Sequence, residues 1–331
     1  MNRWFRIMRS ALWLFGMFAA AVSLAPLAAA QSYPSRTIRI VVPFPPGGAT
    51  DIIGRVIAQK LGENFGWPVV VDNRGGAGGA IGSSLVATSP ADGYTLLVGS
   101  TTTISINPSL NPKLPYNPQR DFVPISLVGS VPHILVVPST VPANNLAEFI
   151  AFAKAQQKPL AYASGGVGTP HHLAGEIFKK MTGVDMVHVP YKGSGPAMNG
   201  VLGGEVQFAS FDLPAALPHL GGGRLKAIAL AATNRDPLAP EVPTAAESGL
   251  PGFEITGWYG IFAPSQTPKD VVAKLSGEIA KVLAAADTRA SLVKAGVNVL
   301  VGGTVEQFAA HIKREDAKWA KAIEESGAKP E

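Results

Sequence analysis

The stretch VVPFPPGGATDIIGR, residues 41–55, decides the fold of this chain. It joins an apolar run at residues 37–42 to a Pro- and Gly-rich turn. The turn leads into a segment in which Ile53, Ile57 and Leu61 recur every four residues. The apolar run predicts a buried strand, and the four-residue spacing predicts a helix with one apolar face. Strand, turn and helix in this order predict an α/β fold with mostly parallel strands.

The same alternation of strand and helix continues along the chain. Further strands are predicted at residues 69–71, 95–98, 134–137, 160–163, 186–189, 206–209, 225–230, 258–263 and 297–300. Helices are predicted at residues 80–87 and after the start signals Asn145 with Glu148, Thr169-Pro170, Thr267-Pro268 and Thr304 with Gln307. Residues 107–124 are rich in Pro and Asn and carry no apolar period, which predicts a surface excursion.

The first thirty residues have the composition of an export signal. Three arginines precede an apolar stretch at residues 11–24, and residues 27–30 supply the small side chains of a signal-peptidase site. The apolar stretch is shorter than the ~20 residues that span a bilayer, which favours a cleaved signal over a retained anchor. We expect export to the periplasm with cleavage near Ala30, and no Cys is present for lipid attachment.

Composition bounds the rest of the chain. Its roughly 300 residues exceed one typical hydrophobic core and predict two domains. The net charge is +5, and three of the positive charges lie in the first thirty residues. The exported part therefore lacks the excess of positive charge expected for binding nucleic acid or anionic lipid. The absence of Cys excludes disulfides and thiolate metal sites. No second apolar stretch is long enough to span a bilayer, which predicts a soluble mature protein.

The common catalytic motifs are missing. The sequence has no P-loop, no G-x-S-x-G elbow and no H-E-x-x-H. Glycines within residues 75–79 approach a dinucleotide fingerprint, but Ile81 stands where its third glycine belongs. His171 and His172 are adjacent, and His172 lies one turn before Glu176. This single His–carboxylate pair is too small for a zinc site and is typical of a helix surface. We therefore predict no cofactor, no metal site and no enzymatic activity.

Four loops rich in Gly, Ser or Thr each follow a predicted strand. Amides at a helix N-terminus are unpaired and partly positive, so they bind a carboxylate without Lys or Arg. Each loop alone is also typical of an ordinary turn. Together they predict a shared crevice beyond the carboxyl ends of the strands. The loops are residues 45–51, 99–102, 164–170 and 189–196.

An ordered set of segments carries a family resemblance. It comprises VVPFPPGGATDIIGR, VVVDNRGGAGGAIG (69–82), DGYTLLVGS (92–100), YASGGVGTPHHLAGE (162–176) and HVPYKGSGPAM (188–198). The set resembles the solute-binding proteins of tripartite tricarboxylate transporters, the Bug family, from about Tyr33 to about Ile323. The resemblance implies a two-lobed, type II-like Venus-flytrap periplasmic binding protein, with a mixed, mostly parallel sheet flanked by helices in each lobe. It also implies a monomer that delivers a carboxylate to a permease of large and small subunits.

The resemblance also implies lobes and site residues. Lobe one would comprise residues 31–132 and 257–331, and lobe two residues 133–256. The ligand carboxylate would be held by loop amides and bridging waters, with Asp51 ordering the first loop. The implied loops are Pro46-Gly47-Gly48 and Gly168-Thr169. The loops themselves add Ser100, Thr101, Ser164 and Tyr191 as candidate ligand-binding residues, and the end of a predicted strand adds Asp212.

Three residues keep two interpretations each. Trp258 either walls the crevice or packs at the hinge. Lys192 either pairs with a second ligand carboxylate or is a solvated loop side chain. Asp212 either favours a ligand with an amine or caps the helix that starts near Pro214.

Two other functions remain open at this point. One is a binding protein that presents its ligand to a signalling partner. The other is an exported hydrolase of small carboxylates, which would need a nucleophile and base positioned in the cleft.

Overall fold

The computed structural model describes residues 33–300, 303–326 and 328, so the predicted export signal lies outside the described residues. The chain divides into two compact units, Met1–Ser35 and Arg36–Glu331, and every element below belongs to the second. Within the described ranges, no helix is both long enough and apolar enough to cross a membrane.

Strands and helices alternate as predicted. The strands are β1 (Ile38–Val42), β2 (Val69–Asn73), β3 (Thr95–Ser100), β4 (Phe122–Pro138), β5 (Leu160–Ser164), β6 (Met186–Pro190), β7 (Phe208–Asp212), β8 (Leu225–Ala231), β9 (Thr256–Pro264) and β10 (Asn298–Val299). The longer helices are α1 (Ala49–Phe65), α2 (Ala80–Ala87), α3 (Leu146–Lys154), α4 (Pro170–Thr182), α5 (Ser194–Leu202), α6 (Leu213–Leu220), α7 (Lys269–Ala284), α8 (Ala286–Lys294) and α9 (Val305–Ser326). Short helical turns are Ala77–Gly79, Thr102–Ile106, Asn107–Leu110 and Pro118–Asp121.

The sheet has two halves that share β4. The main strand order is β2-β1-β3-β9-β4-β7-β5-β6, and β8 and β10 also pair with β4. In the first half β1 is parallel to β2 and β3, and in the second half β5 is parallel to β6 and β7. β9 and β10 pair with β4 in the first half, and β7 and β8 pair with it in the second. The two-lobed α/β arrangement is the predicted fold class, but the sheet is mixed, with four parallel and five antiparallel strand pairs where mostly parallel strands were predicted.

The 17-residue β4 corrects one prediction. Residues 107–124 are not a surface excursion, because Leu110, Tyr116 and Phe122 are buried and Phe122 already begins the strand. Prolines inside β4 hide it from a pattern search, since Pro is normally excluded from a strand interior. The pairing with β9 shifts register beside Pro124, and such irregularities accommodate a proline.

Two predicted helix starts are confirmed. At α9, the Gln307 amide donates to Thr304 Oγ1 over 3.3 Å, and the Thr304 amide donates to Gln307 Oε1 over 2.9 Å. At α3, the Glu148 amide donates to Asn145 Oδ1 over 2.9 Å. Reciprocal bonds of the first kind satisfy two amides that a helix N-terminus otherwise leaves unpaired.

Helix α9 packs against both halves. Phe308, near its start, lies in a buried cluster with Leu97 and Trp258 of the first half. Trp319, three turns later, lies in a cluster with Phe149 and Phe178 of the second half. The predicted lobe boundaries, which stay a prediction, gave this helix to lobe one alone.

Candidate functional site

A narrow cavity lies where the two halves face each other, and we call it the inner cavity. Its volume is about 30 Å³, which is room for about two water molecules and too little for an organic acid. The first half supplies Phe44, Pro45, Gly48, Ala49, Thr50, Ser100, Thr101, Thr102, Gly257 and Tyr259. The second half supplies His133, Gly165, Thr169, Pro170, His171, Ser194 and Asp212.

A wider space, the outer cavity, adjoins the inner one. The two share Phe44, Pro45 and Gly165 as lining residues. The outer cavity measures about 380 Å³, within the size range of small-molecule sites. Its other lining residues are Gly76, Ala77, Gly78, Gly79, Asn107, Leu110, Asn111, Gly166, Val167, Pro190, Tyr191, Lys192 and Gly193.

The predicted site residues divide among these spaces. Those that line the inner cavity are Gly48, Ser100, Thr101, Thr169 and Asp212. Tyr191 lines the outer cavity, and Pro46 and Gly47 line an open pocket beside Ser194. Asp51, Ser164 and Gly168 line none of the three. Contact of any of these residues with a ligand stays a prediction.

The start of α1 brings two unpaired amides to the inner cavity. The Gly47 amide donates to Asp51 Oδ2 over 3.2 Å. Among the described residues, the amides of Ala49 and Thr50 have no hydrogen-bond partner, and both residues line the cavity. Two N–H groups at a helix N-terminus therefore remain available for an anion. They lie just after the glycine pair that the sequence indicated.

Asp51 orders the loop that carries these amides. Its carboxylate accepts hydrogen bonds from Arg55 over 3.0 Å and from Asn73 over 2.9 Å, besides the bond from Gly47. Burial raises the pKa of Asp51, but the bonds from Arg55 and Asn73 lower it, and the net pKa lies below its ordinary value. An ionised, buried Asp51 thus holds the glycine turn in place.

The loop before α4 uses its amides internally. The Thr169 hydroxyl accepts from the His172 amide over 3.3 Å and donates to the Gly166 carbonyl over 2.7 Å. The Gly168 amide is directed to His172 Nδ1 at 3.4 Å, and the Thr169 amide to the Gly166 carbonyl at 3.3 Å. Gly168 has φ +74°, a conformation that favours glycine. In this conformation the loop offers the cavity the Thr169 side chain, not the implied amides.

The sequence interpretation of His172 and Glu176 as a helix-surface pair is wrong for His172. His171 and His172 are buried because α4 packs over the sheet of the second half. The His172 ring stacks on the His188 ring at 4.3 Å between centroids, and His188 Nε2 lies 2.6 Å from Ser164 Oγ. Burial lowers the pKa of both rings, that of His188 to about 4, so this stack is neutral near pH 7.

A buried cluster of two imidazoles and a carboxylate lines the inner cavity. His171 Nε2 lies 3.3 Å from Asp212 Oδ2, and His133 Nε2 lies 3.5 Å from Asp212 Oδ1. The Tyr259 hydroxyl donates to Asp212 Oδ1 over 2.6 Å. His133 is fully buried, and its Nδ1 lies 3.0 Å from the Ser210 hydroxyl. β4, α4, β7 and β9 thus each supply one side chain to this cluster.

The protonation states of the cluster follow from its contacts. Burial raises the pKa of Asp212, but the hydrogen bonds from His171 and Tyr259 hold it below its ordinary value. Burial lowers the pKa of His133 to about 3, so this ring is neutral. Burial and the adjacent Asp212 raise the pKa of Tyr259, which keeps its hydroxyl a donor. The cavity therefore contains the Asp212 carboxylate anion beside a neutral His133 ring and a Tyr259 hydroxyl that keeps its proton.

The contacts of Asp212, Trp258 and Lys192 bear on their open interpretations. The Asp212 carboxylate does not cap α6, so the capping interpretation is wrong. Trp258 packs against Phe308 and His311 and lines neither cavity, as hinge packing predicts. The exposed Lys192 lines the outer cavity, where either of its two interpretations still holds.

Sequence reasoning missed two residues of the site. His133 is the one imidazole within an otherwise apolar stretch of β4, and that exception was a usable signal. Tyr259 follows Trp258 in β9, and successive side chains of a strand point to opposite faces. Tyr259, and not Trp258, therefore lines the inner cavity.

Two halves joined by shared strands, with a polar cavity between them, define a class, the periplasmic solute-binding proteins, and solved structures agree. The chain is similar to periplasmic binding protein BugD, with 35% identity and a TM-score of 0.85 over 90% of this chain and 100% of that one. It is similar to R. palustris Rpa4515, solved with adipate, with 35% identity and a TM-score of 0.87 over the same shares.

The family follows from the sequence comparison. The family described as "Tripartite tricarboxylate transporter family receptor" (TctC) matches residues 53–328. Protein BugT of Bordetella pertussis is 38% identical over 317 residues, which is 96% of this chain and 97% of that protein. The chain belongs to this receptor family, which confirms the resemblance drawn from its motifs.

Proposed function

We propose that this protein binds a small organic acid in the periplasm and delivers it, as a monomer, to a membrane permease of large and small subunits. The observation that carries the proposal is the pair of unpaired amides of Ala49 and Thr50 at the inner cavity. The Ser100 hydroxyl, which has no hydrogen-bond partner among the described residues, lines the same space. Donors of this kind bind a carboxylate oxygen without a basic side chain.

The cavity volumes suggest how the acid is seated. The inner cavity admits only water-sized atoms, whereas the outer cavity has the size of a small-molecule site. One carboxylate of the acid would reach the amides of Ala49 and Thr50 as the halves part, while the body of the acid occupies the outer cavity. Lys192 at the outer cavity would then face a second carboxylate. The adipate in the related Rpa4515 is a dicarboxylate of this type.

One observation favours the hydrolase alternative, and another opposes it. Ser210, His133 and Asp212 follow one another in the order of a catalytic triad. Ser210, however, is buried and lines neither cavity. A solute in the cleft would not reach its hydroxyl, and this supports binding over hydrolysis.

Ligand-induced stabilisation tests the binding role. The exported chain, residues 31–331, is screened by thermal shift against mono-, di- and tricarboxylates and against the amides of the same acids. A ligand that binds only the native state raises Tm by mass action, so we expect at least one acid to raise it while its amide does not. Calorimetry then gives the affinity. A panel in which no acid changes Tm, or in which amides act equally, contradicts the proposal.

Export and delivery are tested in the source cell. The periplasmic fraction should contain a chain that begins near Gln31. Deleting the gene should abolish uptake of the identified acid while its intracellular metabolism is unchanged. Uptake that survives the deletion would favour the sensory alternative, in which the bound acid is reported to a signalling partner.

A further inference from the structure

We propose that His133, His171 and Asp212 form a binding site for a divalent transition metal of the zinc type at the inner cavity. The site would stand on its own as a metal site. Its use in solute capture rests on the proposed function, because an acid in the cleft would complete the coordination of the ion.

The donor set has the composition and spacing of a metal site. Two imidazoles and one carboxylate are the ligands of many zinc and non-haem iron centres, which keep further positions open. The three donor atoms all lie within 4.8 Å of one another. His171 Nε2 lies 3.3 Å from Asp212 Oδ2, as expected for two atoms that each lie ~2.0–2.2 Å from a common ion, and His133 Nε2 lies 3.5 Å from the other carboxylate oxygen, Oδ1.

One buried donor atom lacks any other use. The His133 ring is fully buried, and among the described residues its Nε2 atom has no hydrogen-bond partner. An unsatisfied polar atom in such a place costs free energy unless something outside the chain pairs with it. The other ring nitrogen, Nδ1, faces the Ser210 hydroxyl at 3.0 Å, which fixes the ring orientation. Metal-bound histidines are commonly held in this way.

The carboxylate is held in the same manner. The Tyr259 hydroxyl donates a hydrogen bond to Asp212 Oδ1, and the other oxygen, Oδ2, lies beside His171 Nε2. Two of the three donors therefore already have the outer partner that orients a metal ligand.

The surrounding space fits an ion better than it fits a solute. All three residues line the inner cavity, whose 30 Å³ admits an ion with about one water molecule. The Ser194 hydroxyl lines the same cavity and offers a hydrogen-bond partner to such a water.

The charge balance of the cleft gives the ion a role. The ionised Asp212 lines a cavity that, on the proposed function, receives a second anion. No Lys or Arg is among the residues that line it. A divalent cation beside Asp212 makes the local charge positive and draws a carboxylate into the open coordination positions. The ion would thus supply the positive charge that the side chains do not.

Metal titration without any organic acid tests the site itself. The exported chain is treated with a chelator, dialysed and titrated with Zn²⁺ by calorimetry and with Co²⁺ by visible absorption. We expect one equivalent to bind, with the absorption of a low-coordinate Co²⁺ centre that includes nitrogen ligands. Asp212→Asn, which keeps the shape of the side chain, should weaken binding by at least about tenfold. Ser210→Ala should weaken it by about 10–100-fold.

A histidine outside the cluster provides the control. His219→Gln should bind Zn²⁺ like the parent chain, because this residue lies on α6 away from the inner cavity. Circular dichroism verifies that each variant is folded. Absence of stoichiometric binding, or equal binding by folded Asp212→Asn, overturns the proposal and leaves the cluster a hydrogen-bond network only.

A second measurement separates this inference from the proposed function. Affinity for the identified acid is measured in chelator and in excess Zn²⁺, and we expect at least about tenfold tighter binding with the ion. Equal affinity in both conditions overturns the role of the metal in capture and leaves the binding function intact. If no acid binds in either condition, the proposed function fails, and the metal site is judged on its own titration.

Discussion

The hydroxyl of Tyr259 donates to Asp212 Oδ1 over 2.6 Å, and this bond joins the two halves of the molecule directly at the cavity. Tyr259 lies on β9 of the first half and Asp212 ends β7 of the second. Both residues are buried, and the acceptor is ionised. A hydrogen bond to a buried anion is among the stronger polar contacts in a protein.

Removing the Tyr259 hydroxyl should lower the stability of the folded protein. Tyr259→Phe keeps the ring and removes the donor, and hydrogen bonds to charged groups contribute about 1.5–3 kcal/mol. We expect the free energy of unfolding to fall by about this amount in urea denaturation. Tyr191→Phe is the matched control, because its hydroxyl donates to Glu205 in an exposed contact and should cost less than about 0.5 kcal/mol. Equal losses in the two variants would contradict the importance of the buried bond.

A side chain at residue 48 should block the cleft. Gly48 has φ −92° and ψ 171°, which any residue adopts, and an added Cβ would lie 3.8 Å from Ser194 Oγ of the other half. Gly48→Val should therefore fold, with its branches in the space that the acid carboxylate needs. We expect affinity for the acid to fall at least about tenfold, equivalent to about 1.4 kcal/mol. Gly277→Val, exposed on α7, should bind like the parent chain; unchanged affinity of Gly48→Val would remove the α1 start from the site.

Thr169 should act first as a helix cap. Its hydroxyl accepts from the His172 amide and donates to the Gly166 carbonyl. Thr169→Val removes both bonds and should lower the free energy of unfolding by about 0.5–2 kcal/mol. Thr169→Ser keeps the hydroxyl and should restore most of this loss, as thermal denaturation can measure. If serine is as unstable as valine, the methyl group and not the cap is responsible.

His188 should make stability depend on pH. Its pKa falls from 6.5 to about 4 in the fold, chiefly because of burial, so the unfolded chain binds a proton at a higher pH than the folded chain does. The contribution of the neutral His188 ring to stability is therefore fully present above about pH 6.5 and is lost as the pH falls toward 4. The ring is only partly buried, so we expect a contribution of about 1 kcal/mol.

The variant His188→Gln isolates this contribution. Glutamine retains a group that can bond to Ser164 and does not titrate. Denaturant titrations at several pH values between about 7 and 4.5 should show a smaller loss of stability in the variant than in the parent chain. Identical pH profiles would assign the acid sensitivity to other groups.

The sequence predicted the parts of the fold that depend on local pattern. The periodicity of Ile53, Ile57 and Leu61 located α1, and the exchange between Thr304 and Gln307 located the start of α9. Both signals rest on contacts within one helix, which neighbouring residues already specify. The same reasoning did not predict the full length of β4. The prolines of this strand are tolerated only through a register shift against a partner strand that is distant in sequence.

The site was predictable in its loops and not in its cluster. The glycine turn before α1 and the residues Ser100 and Thr101 were indicated by composition and line the inner cavity. His133 and Asp212 are 79 positions apart in the chain, and only the pairing of β4 with β7 makes them neighbours. No local pattern records such a pairing. The position of Asp212 after a predicted strand drew attention to it, but its partners followed only from the folded sheet.

The continuous strand β4 has a consequence for the thermodynamics of capture. Because the two halves are joined by a hydrogen-bonded strand and not by a flexible linker, they are already near each other before a solute arrives. Binding then orders little additional backbone, and most of the interaction energy is retained as affinity. The molecule is preorganised in this sense, and on the proposed function weak contacts made by amides, hydroxyls and water would suffice to hold a small anion.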